Sequence, residues 1–541
     1  MLPLPDARIS RRELLARGAL LGSAALALAA CAPARPLAEL PSSGATATST
    51  STSTSTQTPR FGGTLRIGRL EDIIPTAVPH LLAPANFQVD NLIYDTLVGY
   101  DQQLVARPRL ATSWAWSPDF LELTLQLRPG VAFHTGRPFT SDDAKFNLER
   151  LRDPAVGSQL QGYATAMQVS APTPGTLVIN YDTPMRSSFD ALSATFMADP
   201  QTIDQSATGR QFVGTGPFVF TEWLQGDHLT VHRNPNYWQT GRPYLDGLEL
   251  RVFHNQQQAE IALETGAIDW MVGVAGADAR RLQADPDYMV LDNSKGSFYL
   301  YLGLDVNAPG LQDKRVRQAL GFAINRQRIV DSTLNGFGRS ASTPWPIGSP
   351  AYDATLDASY AYDLEHARQL LADADWMATT PLPLFVSEVL PSTIQMAQIL
   401  QSDLASIGVP VAIQTLSQPD FVSRLTKSQF QGAWITAISW MNLSPTTFFN
   451  AAFPVRIPNS SNFVSPAYKS LIDQLSVSTD DTQQRQTTDQ LTRMLLDEAF
   501  LLVIAELTMQ QSGAEVVRST VRDVVADRLS LIAYQDVWVT Q

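Results

Sequence analysis

The chain of 541 residues holds a single cysteine, so no intrachain disulfide can staple it. Its six histidines (His80, His134, His228, His232, His254 and His366) are scattered and leave no Cys/His cluster for a zinc site. Basic charge is also short. Lys and Arg number 39 against 52 Asp and Glu, a formal net charge of −13. Phosphate backbones and anionic lipid surfaces are recognised by basic faces, so nucleic acid is excluded as a partner. Charged residues make up only 17%, below the usual ~25%, whereas 44% of the chain is hydrophobic and 9% aromatic. That composition is too apolar for disorder and describes a globular protein with neutral, aromatic-rich surfaces.

Catalytic signatures are missing as well. There is no G-x-x-x-x-G-K-[ST] loop, and Gly214-Thr215-Gly216-Pro217 lacks the third glycine of a dinucleotide turn. Neither a G-x-S-x-G elbow nor an H-E-x-x-H helix occurs, and the one cysteine lies in the leader, away from any folded body. His228 and His232 stand four apart, a metal-binding spacing on a helix, but Asp227 to His232 alternates like a strand, which points to a surface or hydrogen-bonding role. Asp142-Asp143 and Asp497-Glu498 fall at helix starts or faces, where solvated or dipole roles are the default. The chain reads as no enzyme, with no cofactor and no metal.

The N-terminus carries the first positive signal. A charged patch with Arg11-Arg12 precedes thirteen uncharged residues from Gly18 to Ala30. As a helix that stretch rises about 20 Å, short of the ~30 Å hydrocarbon core, so it reads as an export signal. Leu28-Ala29-Ala30-Cys31 resembles the lipobox of bacterial lipoproteins, whose cysteine takes a diacylglycerol and becomes the new N-terminus. Arg11-Arg12 with Leu14-Leu15 resembles a twin-arginine signal, although ordinary signals also carry arginines. Residues 1–30 hold four arginines against Asp6 and Glu13, so their removal takes the charge from −13 to −15. From Ser42 to Thr58, thirteen of seventeen residues are Ser or Thr, a tract that cannot build a core. Residues 31–60 are therefore a tether with an r.m.s. reach of roughly 30 Å.

Beyond the tether, strands and helices alternate. Gly63–Gly68 reads as an opening strand, and Leu121–Leu127 alternates perfectly, a strand with one wet face closed by Arg128-Pro129-Gly130. Ser141-Asp142-Asp143 starts a helix running to Arg150. Further strands are predicted at Leu177–Tyr181, Leu229–Arg233, Leu248–Phe253 and Phe298–Asp305. Helices are predicted at Asn86–Leu97, Gln256–Thr265, Asp313–Asp331, Asp363–Ala374, Ser392–Ile407, Tyr468–Leu475 and Thr482–Glu498, with strands Leu382–Val386, Val409–Gln414 and Phe500–Leu507. Helix–strand alternation with short connections is the pattern of α/β layers.

Eight short motifs then fall in one order: Gly62-Gly63-Thr64-Leu65; Tyr94-Asp95-Thr96-Leu97-Val98; Pro108 to Trp114; Leu127-Arg128-Pro129-Gly130 through Thr140; Gly214 to Phe218; Arg233-Asn234-Pro235-Asn236-Tyr237-Trp238; Gly241 to Asp246; and Val316 to Leu320. With them the body from Gly62 to about Asp536 resembles the family 5 extracellular solute-binding proteins, the peptide- and nickel-binding receptors of bacterial ABC importers. The motifs also have a plain physical reading: glycine supplies positive φ and proline fixes φ near −65°, so the turns hold a scaffold. Tyr237-Trp238 is read as core rather than site.

The resemblance implies an α/β, bilobal periplasmic-binding-protein fold of type II with an extra strand-rich subdomain in the N-terminal lobe. Lobe I would comprise 61–94, 212–298 and 513–541, the inserted subdomain 95–211, and lobe II 299–512. It implies a membrane-anchored monomer, exported to the outer face of the cytoplasmic membrane or the periplasm. There it would capture a peptide or similar small polar solute between closing lobes for an ABC permease and ATPase. The alternative keeps the fold for a ligand sensor or envelope chaperone. In peptide-binding members a Trp is followed within three residues by an Asp that pairs with the peptide amino group. Here Trp440-Met441-Asn442 lacks that aspartate, and Asn442 is the nearest polar substitute. Expected ligand contacts are Trp440, Met441, Asn442, Phe449, Pro84, Asn86 and Glu506, with Cys31 as the lipidation site. Glu506 sits in the apolar run Leu501–Leu507, and two readings stand: a structural pairing, or a carboxylate near the cleft that meets a ligand's cationic end.

Overall fold

The computed structural model describes residues 58–541 except 81–83, 102, 292–297, 378–379, 389–390, 440–442, 508–512, 526–531 and 541. Residues 1–57, which include the expected export signal, Cys31 and most of the tether, lie outside the described residues, as do Trp440, Met441 and Asn442.

Two mixed sheets and one smaller antiparallel sheet carry the architecture. The first has seven strands in the order Tyr288–Leu291, Ala514–Arg518, Trp270–Val274, Thr64–Arg69, Gly247–Val252, His228–Arg233 and Phe218–Leu224. Thr64–Arg69 pairs parallel with both Gly247–Val252 and Trp270–Val274. The second has six strands: Gly338–Ser340, Leu501–Leu507, Tyr299–Leu304, Ala433–Ile438, Leu382–Ser387 and Val411–Leu416. Chain order therefore passes from the first sheet to the second once, between Leu291 and Tyr299, and returns between Leu507 and Ala514.

Alternation explains how one strand serves two cores. In Tyr299–Leu304 the residues Leu300, Leu302 and Leu304 join an aliphatic core with helices Lys314–Ala323, Leu364–Asp373 and Pro391–Ala405. Tyr299 and Tyr301 point to the opposite face, an aromatic core with Trp345, Trp434, Phe448, Phe449, Tyr468 and Phe500. Both faces are covered, which is why the neighbouring strand Leu501–Leu507 is buried at every position.

The third sheet is antiparallel and runs Ala111–Trp116, Glu122–Leu127, Thr176–Asn180, Gln168–Thr173. Here one face stays wet: Leu123, Leu125 and Leu127 are buried while Glu122 and Gln126 are exposed. Helix Ser141–Arg150 packs on it, with Thr140 rather than Ser141 as N-cap and Asp143 completing a capping box.

Several elements differ from the sequence reading, among them the helix expected over Asn86–Leu97, which is Phe87–Ile93 and is closed by the extended Tyr94. The single helix expected over Asp313–Asp331 is two, Lys314–Ala323 and Arg326–Thr333, because Ile324 is extended and Asn325 caps the second. The break is held by Arg326, whose buried guanidinium donates to the carbonyls of Gly321, Ala341, Tyr360 and Val503. The strand expected at Val409–Gln414 is Val411–Leu416, since Pro410 has no N–H for the ladder and pairing with Leu382 starts at Val411.

Candidate functional site

The family-like motifs converge on one buried carboxylate. Asp95 accepts from Thr215 Oγ1 at 3.1 Å, Tyr237 OH at 3.2 Å and Trp238 Nε1 at 2.9 Å. Gly214 and Gly216 lie against the Ile93 backbone so closely that a Cβ would fall 2.2 and 2.5 Å from its atoms. Arg137 bridges Asp143 and Asp199, each at 2.8 Å. These side chains are occupied by one another, and the motifs are scaffold. His228 likewise lies on a strand and pairs with Glu222 and Asp227.

A second buried carboxylate joins the antiparallel unit to the six-stranded layer. Asp190 lies in helix Ser188–Ala194 with no exposed surface. It accepts from Tyr100 OH at 2.7 Å, from Ser444 Oγ at 2.5 Å, and from Ser444 N at 3.2 Å. Thr447 Oγ1 also donates to it, and Thr447 is hydrogen-bonded in turn to Tyr163 OH. Ser444 is the N-cap of Pro445–Ala451 and its hydroxyl oxygen accepts from the Thr447 N–H, so the carboxylate lies at the positive end of the helix dipole. Burial pushes the Asp190 carboxyl above its ordinary range, and the hydrogen bonds from Ser444, Thr447 and Tyr100 pull it back. Nearby, Arg186 pairs with Asp481 at 2.7 Å and donates to Thr479 O at 2.8 Å, a second tie between the same two units. This contact fixes the chain two residues beyond Asn442.

The other expected contacts fall as follows. Asn86 is fully buried, its amide exchanging two 2.9 Å hydrogen bonds with the Ile74 backbone. Pro84 starts the 3-10 turn Pro84–Asn86. Phe449 is fully buried among Trp345, Phe448 and Tyr468. Glu506 pairs with Arg339 Nη2 at 2.7 Å, the structural pairing of the two readings. Arg339 is shared with Asp357, whose other oxygen accepts from Ser342 N, Thr343 N and Thr343 Oγ1. Burial opposes the Arg339 charge, and Asp357 and Glu506 together outweigh it and hold its pKa above the ordinary value. Asn86, Phe449 and Glu506 are each engaged by neighbouring groups where they stand.

Sequence reasoning missed Asp190, Ser444 and Thr447. The signals were present: Ser444-Pro445 is a helix-start pair, and Asp190 is a lone carboxylate in the otherwise uncharged run Ser187–Phe196. Among the described residues no group of three or more His, Cys, Asp or Glu is placed to hold a metal ion, and no helix is long and apolar enough to cross a membrane.

Known proteins resemble this chain in sequence and in fold. The profile of the family described as bacterial extracellular solute-binding proteins, family 5 Middle, matches residues 106–456. Heme-binding protein A of Haemophilus influenzae is 28% identical over 396 residues, spanning 66% of this chain and 71% of that protein. Relatives from Brucella at 30% identity are matched over 65% of their own length. Among solved structures, HbpA2 from Haemophilus parasuis superposes with a TM-score of 0.78 at 23% identity, covering 88% of this chain and all of that one. The ABC transporter-associated periplasmic binding protein DppA from Helicobacter pylori, solved with the peptide STSA, gives 0.71 at 23% identity, covering 89% and 99%. The fold is the bilobal α/β fold of periplasmic binding proteins.

Proposed function

Because the chain belongs to the bacterial extracellular solute-binding proteins of family 5, we propose that it captures a peptide or similar small polar solute between its two lobes and delivers it to the permease of an ABC importer. In this reading 61–94, 212–298 and 513–541 form one lobe, 299–512 the other, and 95–211 the inserted subdomain. Trp440, Met441 and Asn442 contact the solute, with the turn at Pro84 opposite. Asn86 and Phe449 hold those segments from behind, which their complete burial supports. Cys31 carries the lipid that keeps the exported protein on a membrane face.

The observation that carries the reading is the tie of Asp190 to Ser444 and Thr447, which anchors the segment following Trp440–Asn442 to the inserted unit. A loop that selects a solute must be held in place, since ordering it at binding subtracts from affinity. Native mass spectrometry of protein purified without refolding tests the proposal. Release of a bound peptide or small polar molecule on denaturation supports it. A chain that carries none, and gives no binding heat with a peptide library, overturns it.

A further inference from the structure

A pocket of about 540 Å³ opens between the inserted unit and the six-stranded layer. One wall is aromatic: Trp114 and Trp116 stand 5.2 and 6.3 Å from Phe189, tilted at 54° and nearly perpendicular at 84°. Pro445 and Leu475 supply the opposite wall, and Tyr100 and Ser444, the two donors to Asp190, belong to the same lining. The three rings of the first wall are each half-buried, so they present surface to the pocket rather than filling it.

Charge along the lining is uneven. Asp481 is answered by Arg186 at 2.7 Å, and Asp190 is satisfied by its hydroxyl donors. Arg485, on helix Asp481–Glu498, is exposed and has no ion-pair or hydrogen-bond partner among the described residues. The pocket thus combines apolar rings with one uncommitted guanidinium, a group built to take a carboxylate through two parallel N–H donors. Its volume lies within the ~300–1,000 Å³ of small-molecule sites, and such sites are mainly apolar with a few placed polar groups.

We propose that this pocket is a second binding site, distinct from the solute cleft, for a small aromatic carboxylate whose ring lies among Trp114, Trp116 and Phe189 and whose carboxylate meets Arg485. An occupant touches both units that Asp190 joins and so favours their joined arrangement over a separated one.

Calorimetry on the full chain with indole-3-acetate as probe, and indole-3-acetamide as its neutral counterpart, tests the assignment. The acid is expected to bind saturably, with the amide about tenfold weaker because it forfeits the charge-assisted pair. Arg485→Gln, at an exposed position that does not threaten folding, is expected to bring acid and amide to equal affinity. Trp116→Ala is expected to weaken both, and Trp440→Ala to leave both unchanged. Absence of saturable heat up to about 10 mM overturns the proposal. So does binding that Trp440→Ala abolishes while Arg485→Gln and Trp116→Ala leave it intact, which would place the probe in the solute cleft.

Discussion

Asp190 and Ser444 are 254 residues apart in the chain, yet the Ser444 hydroxyl donates to the Asp190 carboxylate at 2.5 Å and the Ser444 backbone N–H adds a second bond. Removing the acceptor strands several buried donors at once. Asp190→Asn keeps the shape but turns one acceptor oxygen into an N–H₂ facing the hydroxyls of Tyr100, Ser444 and Thr447. A buried donor left unsatisfied costs about 1–3 kcal/mol, so urea unfolding is expected to register a loss of that size. Ser444→Ala in the Asp190→Asn background should cost less than Ser444→Ala in the unaltered chain, so that the double loss falls short of the sum of the two single ones. Strict additivity would show that the two side chains do not act together.

Glu506 yields a prediction of opposite character. Its partner Arg339 retains Asp357 when Glu506 is changed, so Glu506→Gln leaves no unpaired charge. Arg339→Met, by contrast, leaves two buried carboxylates without their cation. Breaking a buried pair by removing one partner costs about 3–5 kcal/mol, so chemical denaturation should rank Arg339→Met well below Glu506→Gln. Calorimetry on Glu506→Gln should show solute affinity unchanged. A loss of affinity beyond about tenfold would return Glu506 to the cleft.

His80 sets an acid limit. It is buried, with Nε2–H placed to donate to Asn147 Oδ1 at 2.9 Å, while Nδ1 has no partner among the described residues. Protonation would put a buried N–H at Nδ1, where no acceptor stands among the described residues. Burial, aided by the Arg150 charge, accordingly lowers the imidazole pKa to about 4. The folded state then binds fewer protons than the unfolded chain between pH 6.5 and about 4. The stabilisation this histidine contributes is therefore complete above 6.5 and lost as pH falls through that window, an effect of about 3 kcal/mol. Urea unfolding from pH 7 to 4 should give a shallower acid slope for His80→Asn than for the unaltered chain, and parallel slopes would refute the assignment.

Legibility followed the range of the interactions concerned. The wet face of Leu121–Leu127 and the start of helix Leu364–Asp373 at Asp363 depend on neighbours within a few residues, and both read correctly from spacing and caps. The break at Ile324-Asn325 did not, because it is held by an arginine that finds carbonyls at 321, 341, 360 and 503. Asp190 escaped for the same reason: its partners at 100, 444 and 447 lie in segments that nothing local connects. The family-like motifs were legible as scaffold, since Asp95 with Thr215, Tyr237 and Trp238 is turn and core chemistry.

The proposed anchor at Cys31 can be separated from folding. Acyl chains contribute about 0.8 kcal/mol per buried CH₂, so a lipidated cysteine holds the protein on a membrane without a spanning helix. Cys31→Ser is expected to move the protein into the soluble fraction with its unfolding midpoint unchanged. Continued sedimentation with membranes would reject the anchor.

We propose that Asn442 stands where the resemblance places an aspartate in peptide-binding members. Asn442 presents a neutral amide, and a carboxylate facing a buried ammonium forms a charge-assisted bond roughly twice as strong as a neutral one. If Asn442 occupies that position, the native site disfavours an ordinary zwitterionic peptide and suits a ligand whose corresponding end is uncharged. Asn442→Asp is then expected to raise affinity for a free dipeptide or tripeptide by about tenfold or more, and to leave the N-acetylated form unimproved, since acetylation removes the ammonium. Calorimetry with matched free and acetylated peptides reads the difference directly. Equal gains for both, or none for either, would mean that residue 442 does not face the amino end of the solute.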